Sequence, residues 1–219
     1  MVCAVKGYPF VAVMSEGNNV ERVKSMRQFG ARVDLVPVVG GMKGQVSGAD
    51  LVRVEARFEE LATELGAFRV GQFYNSLNMM AHSVTTAEEI LRDVPTVDVF
   101  CDFVGTGGTF EGVAAAFKKH NPKIKCMMVE PATQKHIVQG GGYFKDVPFA
   151  VPKNCDGEIA VTDEESLFWM RELSNREGIA GGISSGTNLA AAVKYLRENP
   201  NAHIVFLVND SFLNYASLF

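Results

Sequence analysis

A glycine- and threonine-rich segment near the middle of the chain has the residue types of a phosphate-binding turn. It consists of Gly105, Thr106, Gly107, Gly108 and Thr109, and it lies between an apolar run, 97–104, and helix-compatible residues, 110–119. Glycines let a backbone turn tightly and approach an anion, and the free N–H groups at the start of a helix point towards it. The segment predicts a phosphate site, with an ordinary strand-to-helix turn as the alternative.

Short β-rich runs alternate with helical patterns along the chain. The predicted strands are 10–14, 32–38, 67–73, 97–104, 124–129 and 203–208. The predicted helices include 45–65, one helix at 81–92, and two that begin at capping boxes, Asn18 with Glu21 and Thr162 with Glu165. We expect 131–160 to be irregular. Strands separated by helices pair in parallel through right-handed crossovers, so the predicted class is α/β, with parallel sheets flanked by helices.

Four polar or glycine-rich segments fall at the carboxyl ends of predicted strands or beside them. They are 72–78, 105–109, 180–186 and 209–211. In open α/β sheets the ligand crevice lies beyond the carboxyl ends of the strands. We therefore predict one site that is assembled from all four segments.

The composition favours a small-molecule ligand. The net charge is −4 and no block of Lys or Arg stands out, which argues against nucleic acid and against a membrane surface as partner. No apolar run reaches the ~18 residues of a membrane span, and we expect a cytoplasmic protein. The four cysteines are dispersed, without metal-ligand spacing, so we predict free thiols, with Cys101 and Cys126 buried, and no metal site.

Several ordered motifs resemble the cysteine synthase and cystathionine β-synthase family, which are pyridoxal-phosphate enzymes of fold type II, the tryptophan-synthase-β-like fold. The motifs are 20–31, 41–44, 72–75, 85–86, 105–109, 130–131 and 177–186. The resemblance implies pyridoxal 5'-phosphate as cofactor, a small-molecule amino-acid substrate, and a homodimer or association with a homologous chain. It also implies two domains: 1–64, the remnant of a smaller N-terminal α/β subdomain, and 65–219, the larger cofactor-binding domain.

The resemblance also assigns roles to individual residues. Residues 105–109 would hold the cofactor phosphate, and Ser211 would lie beside the pyridine nitrogen, with an N-cap role as the alternative for Ser211. A neutral partner there need not keep the nitrogen protonated, which suits chemistry at the substrate β-carbon. The substrate side would be formed by Gln72, Asn75, Gly140, Gly141, Gly142 and Ser184. The alternatives are a plain turn at Gln72 and Asn75, a surface loop for the three glycines, and a helix cap for Ser184.

The family's catalytic lysine, which forms a Schiff base with the cofactor in a Ser-x-x-Lys context, has no counterpart here. Neither Lys6 nor Lys43 matches that context, so no catalytic residue is assigned. We therefore expect the C-terminal part of a longer enzyme, lacking the N-terminal part of the fold, or a truncated paralogue.

The activity implied for the intact enzyme is β-elimination or β-replacement on serine-derived amino acids, a transferase or lyase reaction of cysteine biosynthesis. The ending Asn209-Asp210-Ser211 looks closer to cystathionine β-synthase. One alternative is a non-catalytic paralogue that binds a metabolite or a partner subunit. Another is a nicotinamide dinucleotide site, which the spacing of the glycines fits less well.

Overall fold

The computed structural model describes residues 1–40, 46–134, 136–140, 142–143, 149 and 151–218, without the side chains of 152 and 216–218. The helices in chain order are α1 Val2–Lys6, α2 Val20–Gln28, α3 Gly48–Glu64, α4 Leu77–Val84, α5 Thr86–Asp93, α6 Gly108–His120, α7 Asp163–Glu177 and α8 Ile183–Glu198. The strands are β1 Val11–Ser15, β2 Arg32–Val36, β3 Val99–Phe103, β4 Lys125–Pro131, β5 Gly157–Val161 and β6 Ile204–Phe206. Short 3₁₀ helices span Pro152–Asn154 and Phe212–Leu218.

The chain divides into two compact units. The first contains residues 1–69 and 212–219, and the second contains residues 70–211. The first unit holds a parallel two-stranded sheet, β1–β2, and the second holds a parallel four-stranded sheet in the order β5–β4–β3–β6. The parallel α/β prediction is confirmed. The assignment of 1–64 and 65–219 to two domains of the family stays a prediction.

In the first unit, the predicted capping box at Asn18 and Glu21 is wrong. Helix α2 begins at Val20 with Asn19 as its N-cap, and that side chain makes no capping hydrogen bond. The Nδ2 atom of Asn19 instead donates to the carbonyl oxygen of Asn214 over 3.3 Å. A long-range contact has therefore replaced the local one.

The core of the second unit surrounds β3. All five residues of this strand are buried, as expected for a central strand of a parallel sheet that is covered on both faces. The ring of Phe100 packs against Phe110 and Phe117 of α6, with centroid distances of 6.1 and 5.8 Å. This packing fixes helix α6 against the sheet. It also fixes residues 105–109 at the start of the helix, which we call the glycine turn.

Two glycines allow helices of the second unit to pack at backbone distance. A Cβ atom on Gly112 of α6 would lie 2.3 Å from the carbonyl oxygen of Met79 in α4. A Cβ atom on Gly186 of α8 would lie 2.1 Å from the carbonyl oxygen of Ser166 in α7. Neither position has room for a side chain. Helix α4 is consequently held close to α6.

Three other sequence predictions are corrected. The described residues 67–73 form no strand, and Gly71 within them has a positive φ of 59°. The single helix predicted at 81–92 is the pair α4 and α5, which meet at Thr85 with φ −124° and ψ −75°. The segment predicted to be irregular contains β5, whose Gly, Glu and Ala residues have low strand propensity, so that its pairing with β4 determines its conformation.

The second predicted capping box is confirmed. Thr162 Oγ1 accepts from the backbone N–H of Glu165 over 3.2 Å, and a Glu165 carboxylate oxygen accepts from the N–H of Thr162 over 2.9 Å. Helix α7 then ends at Gly178, which has a φ of 68°.

Within the described ranges, no helix is long and apolar enough to cross a bilayer. Those ranges also contain no group of three or more His, Cys, Asp or Glu that could hold a metal ion.

Candidate functional site

The glycine turn joins the carboxyl end of β3 to the start of α6. Gly107 is the N-cap of the helix and has a left-handed conformation, φ 84° and ψ −7°, which favours glycine. Because the N-cap is a glycine, it has no side chain to cap the helix. The backbone N–H groups of Thr109 and Phe110 lie in the first turn, where a helix supplies no acceptor. The turn therefore presents backbone donors at the positive end of the helix dipole, as an anion site requires.

Two residues of the glycine turn must be glycines, because their positions have no room for a side chain. A Cβ atom on Gly108 would lie 2.2 Å from Oδ1 of Asn78, and one on Gly105 would lie 2.7 Å from the carbonyl oxygen of Gly140. The turn is therefore bordered by α4 on one side and by the glycine-rich segment on the other. A small phosphorylated ligand fits these residues, because the donors are backbone groups in a turn without bulky side chains.

The sequence interpretation missed Asn78, which connects helix α4 to the turn. Its Nδ2 atom donates to Thr106 Oγ1 over 3.0 Å and to the carbonyl oxygen of Gln72 over 2.7 Å. Thr106 Oγ1 in turn accepts from the N–H of Gly108 over 3.2 Å. Asn78 is the last residue of the polar segment 72–78, so its position in that segment was the available signal.

His82 was also missed, and it lies one helical turn after Asn78. Its Nε2 atom is 3.2 Å from Thr109 Oγ1, and its Nδ1 atom is 2.9 Å from Thr86 Oγ1. Partial burial lowers the pKa of His82 below its ordinary value, which favours the neutral ring near pH 7. The spacing of Asn78 and His82, i and i+4 on α4, puts both on one helical face and was a usable sequence signal.

The predicted substrate-side residues Gln72 and Asn75 lie in the loop before α4. The backbone carbonyl of Gln72 reaches the turn through Asn78. The side chain of Asn75 is used within its own loop: Nδ2 donates to the carbonyl oxygen of Val70 over 3.2 Å, and Oδ1 accepts from the N–H of Leu77 over 3.1 Å. The substrate role of both residues stays a prediction.

The glycine-rich segment passes the end of β3. Gly140 is exposed, with a φ of 76°, and the N–H of Gly142 donates to the carbonyl oxygen of Val104 over 3.0 Å. Gly141 lies outside the described residues. The structure thus brings Gly140 and Gly142 close to the glycine turn, and their substrate role stays a prediction.

Helix α6 also holds the segment that follows these glycines. The carboxylate of Glu111, which is buried, accepts from the N–H of Val151 over 2.6 Å and from Asn154 Nδ2 over 3.0 Å. Burial raises the pKa of Glu111 above its ordinary value, and the two donors oppose that shift. Glu111 is therefore a tether between the helix of the turn and residues 151–154.

Residues 209–211 are attached to the start of α8. The N–H of Asn209 donates to Ser185 Oγ over 3.2 Å, and the N–H of Gly182 donates to the carbonyl oxygen of Asp210 over 2.8 Å. Ser211 forms an isolated antiparallel bridge with Gly181. Because β6 pairs with β3, the segment follows a strand adjacent to the one that carries the glycine turn.

Ser184 lies in the first turn of α8 and is half-buried. The N-cap of α8 is Gly182, which has no side chain, and Ser184 lies two residues inside the helix. The alternative interpretation of Ser184 as a helix cap is therefore wrong, and its substrate role stays a prediction.

The sequence interpretation also missed a buried polar group, which lies on β3 and contacts α8 and residue 209. Asp102 of β3 is 1% exposed, and its Oδ1 accepts from Asn188 Nδ2 over 3.2 Å and from Asn209 Nδ2 over 3.4 Å. Burial raises the pKa of Asp102 to about 7, and the two amides and the N–H of Phe103 oppose that shift. No sequence pattern distinguishes this residue, because its partners are remote along the chain.

The two cysteines that were predicted to be buried are fully buried. Cys101 and Cys126 lie on β3 and β4, and burial raises the pKa of each thiol to about 12. Both are free, as are Cys3 and Cys155. A thiol with such a pKa stays protonated at neutral pH and is a poor nucleophile.

Comparison with known proteins places this site in a family. Residues 1–210 match the family model described as "Pyridoxal-phosphate dependent enzyme". Cysteine synthase B of Campylobacter jejuni is 36% identical over 229 residues, which cover 99% of this chain and 73% of that protein. Cysteine synthase of Staphylococcus aureus (strain Mu50) is 34% identical over 210 residues, which cover 90% of this chain and 64% of that protein.

A solved structure agrees with the sequence matches. The crystal structure of a hydrogen sulfide-producing enzyme from Fusobacterium nucleatum superimposes with a TM-score of 0.87 at 37% identity, covering 98% of this chain and 72% of that one. These matches confirm the predicted tryptophan-synthase-β-like fold and the predicted cofactor of the family, pyridoxal 5'-phosphate. This chain belongs to the pyridoxal-phosphate dependent enzyme family.

Proposed function

We propose that this chain binds the phosphate of pyridoxal 5'-phosphate at residues 105–109 and takes part in β-elimination or β-replacement on a serine-derived amino acid. The observation that carries the proposal is the start of α6, where the N-cap Gly107 is left-handed and has no side chain, and where the N–H groups of Thr109 and Phe110 have no acceptor within the helix. The names of the relatives support the reaction class, since they are called cysteine synthases and a hydrogen sulfide-producing enzyme.

When bound, the cofactor acts as an electron sink that stabilises negative charge on the substrate carbon. In this proposal the residues of the chain bind and orient it. The N–H groups of the first turn of α6 hold the phosphate, while Asn78 and His82 fix the hydroxyl groups of Thr106 and Thr109. These contacts leave the turn rigid before a ligand arrives, which lowers the entropy cost of binding.

Ser211 is proposed to face the pyridine nitrogen. A serine hydroxyl is neutral and does not hold a proton on that nitrogen, so the ring withdraws electrons less strongly, which suits loss of a substituent from the β-carbon. The attachment of residues 209–211 to α8, at the strand beside β3, supports a position opposite the glycine turn.

The substrate is proposed to lie between the glycine turn and the segments that carry Gln72, Asn75, Gly140–Gly142 and Ser184. The position of Gly140 beside Gly105 supports this side for the glycine-rich segment. We propose a thiol or sulfide as the second substrate, in a cysteine synthase type of replacement ahead of a cystathionine β-synthase type, because the relatives reported above carry the former name.

A homodimer, or association with a homologous chain, is also proposed. Leu77, Met80 and Val84 recur at helical spacing on α4 and are 58%, 53% and 62% exposed. Such an apolar stripe is typical of a surface that another polypeptide covers.

The alternative is a non-catalytic paralogue that binds a metabolite or a partner subunit. It is favoured by the lack of a lysine in a Ser-x-x-Lys context.

A labelling experiment separates the two functions: the chain is incubated with pyridoxal 5'-phosphate, reduced with borohydride and mapped by peptide mass. A stoichiometric adduct on one lysine supports autonomous chemistry, whereas saturable binding with labels scattered over the surface supports the alternative.

The role of the turn is tested with Gly108→Ala and, as a matched control, Gly48→Ala at the start of α3, where a Cβ atom would meet nothing within 4 Å. We expect saturable binding by the unaltered chain and the control, and loss of binding in Gly108→Ala. Absence of saturable binding by the unaltered chain would overturn the proposed function.

A further inference from the structure

A buried carboxyl group connects the strand of the glycine turn to the segment that carries Ser211. Asp102 precedes Gly105 by three residues, and its carboxylate accepts from two side-chain amides, those of Asn188 and Asn209. In the part of the chain that the structure describes, no cationic group contributes to the pKa of Asp102. The carboxyl group is therefore held by hydrogen bonds from neutral groups.

The two asparagines lie on different elements beside the proposed site. Asn188 belongs to α8 and is fully buried, and its Nδ2 atom also donates to the carbonyl oxygen of Leu207, just beyond β6, over 3.0 Å. Asn209 is bound through its N–H to Ser185 Oγ. Contacts thus run from β3, through Asp102, to α8 and to the residues that immediately precede Ser211.

Packing alone gives no reason for an acid at this position. Burying a carboxyl group without a cation is unfavourable, and an apolar side chain of similar volume would avoid that cost. The adjacent strand residues Cys101 and Phe103 are apolar and buried. What the acid provides, and an apolar residue does not, is an acceptor for two amides from separate elements. Asn188 Oδ1 is buried and has no hydrogen-bond partner among the described residues, so the contact of Asn188 with Asp102 runs through its Nδ2 atom.

We propose that Asp102 is a positioning residue that holds Asn209 and thereby fixes the main chain at Ser211 relative to the glycine turn. The inference rests on the proposed function, because this distance matters only to a ligand that spans from the turn to Ser211. Asp102 itself does not touch the ligand. Its effect is on the ring end of the ligand, whereas the phosphate end depends on residues 105–109.

The test uses 4'-deoxypyridoxine 5'-phosphate, which lacks the aldehyde and therefore reports binding without a bond to lysine, and inorganic phosphate as a competitor. We expect Asp102→Leu to raise the Kd for the ring compound by about tenfold, the loss expected when a hydrogen-bonded restraint worth about 1.4 kcal/mol is removed. The Kd for phosphate should stay within about twofold. Asp102→Asn keeps an oxygen that accepts from an amide, and it should bind the ring compound almost as the unaltered chain does.

Two further variants secure the comparison. Asp98→Asn is the matched control, because Asp98 immediately precedes β3 at the end away from the glycine turn. Its carboxylate accepts from the N–H of His203 over 2.8 Å, and the affinity of this variant for the ring compound should not change. Asn209→Ala removes the other partner from an exposed position, so it keeps the fold and should weaken binding of the ring compound in the same direction as Asp102→Leu.

The outcomes separate this inference from the proposed function. Equal affinity of the unaltered chain, Asn209→Ala and a folded Asp102→Leu for the ring compound overturns the positioning role alone. An equal loss of phosphate affinity in Asp102→Leu also overturns it, because Asp102 would then act on the turn. Absence of saturable binding to the unaltered chain overturns the proposed function, and this inference with it.

Discussion

The side-chain amide of Asn78 lies 3.0 Å from the hydroxyl oxygen of Thr106, and its Oδ1 atom occupies the space that a Cβ atom on Gly108 would need. One side chain of α4 therefore both orients a hydroxyl of the turn and excludes any side chain from the first residue of α6. The relationship makes the glycine turn dependent on how α4 packs.

Gly108→Ala is expected to abolish or strongly weaken anion binding at the turn. The new methyl group would lie 2.2 Å from Asn78 Oδ1, so that either Asn78 or the turn must move. Titration with inorganic phosphate measures the effect. The double variant Gly108→Ala with Asn78→Gly removes the clash and should recover part of the affinity; no recovery at all would contradict the assignment of the loss to this contact.

Gly112→Ala is expected to lower the stability of the protein by about 1–3 kcal/mol, the usual cost of overpacking. Its Cβ atom would lie 2.3 Å from the carbonyl oxygen of Met79, a backbone atom that cannot rotate away. Urea denaturation measures the free energy of unfolding, with Gly48→Ala as control. Because α4 carries Asn78 and His82, phosphate affinity should fall together with stability, and unchanged stability would argue against close packing of α4 on α6.

The stability of the unaltered chain is expected to fall relative to Asp102→Asn as the pH rises from 5 to 8. Burial raises the pKa of Asp102 to about 7, above the value of 3.8 for an unperturbed carboxyl, so the folded state binds the proton more tightly than the unfolded state between these values. The contribution is greatest below the unfolded pKa and is lost as the pH rises through about 7.

The difference between Asp102→Asn and the unaltered chain should therefore grow by about 2.5 kcal/mol between pH 5 and pH 8, at about 1.4 kcal/mol per pKa unit. Urea denaturation at several pH values gives this difference. The neighbouring thiol of Cys101 stays neutral in this range, because burial raises its pKa to about 12. All other charged groups are present in both proteins, so the comparison isolates Asp102. Parallel pH curves for the two proteins would contradict the prediction.

Glu111→Ala is expected to increase the rate of hydrogen exchange at Val151 by about tenfold, since it removes the acceptor of that N–H and leaves Asn154 without its carboxylate partner. Exchange measured by mass spectrometry on peptides that cover residues 151–154 gives the rate. Glu88→Ala, on the exposed face of α5, is the control and should leave this exchange unchanged. The tether would be disproved if both variants exchanged at the same rate.

Local patterns in the sequence determined much of the fold. The alternation of strands and helices follows from the local periodicity of apolar residues. The capping box of Thr162 with Glu165 and the end of α7 at Gly178 follow from hydrogen bonds between near neighbours. The glycine turn between β3 and α6 follows from the same kind of local chemistry. These features were predictable because the interacting atoms lie within a few residues of one another.

Only the tertiary structure decided which remote side chains meet at this turn. Asp102 and Asn188 are 86 positions apart, and Asn78 and Thr106 are 28 positions apart, so no local pattern marks either pair. Strand β5 pairs with β4 although Gly157, Glu158 and Ala160 have low strand propensity. The sequence by itself determined the turn and the order of the elements, whereas side-chain packing between distant elements determined the residues that surround the turn, because such contacts depend on the assembled fold and not on nearest neighbours along the chain.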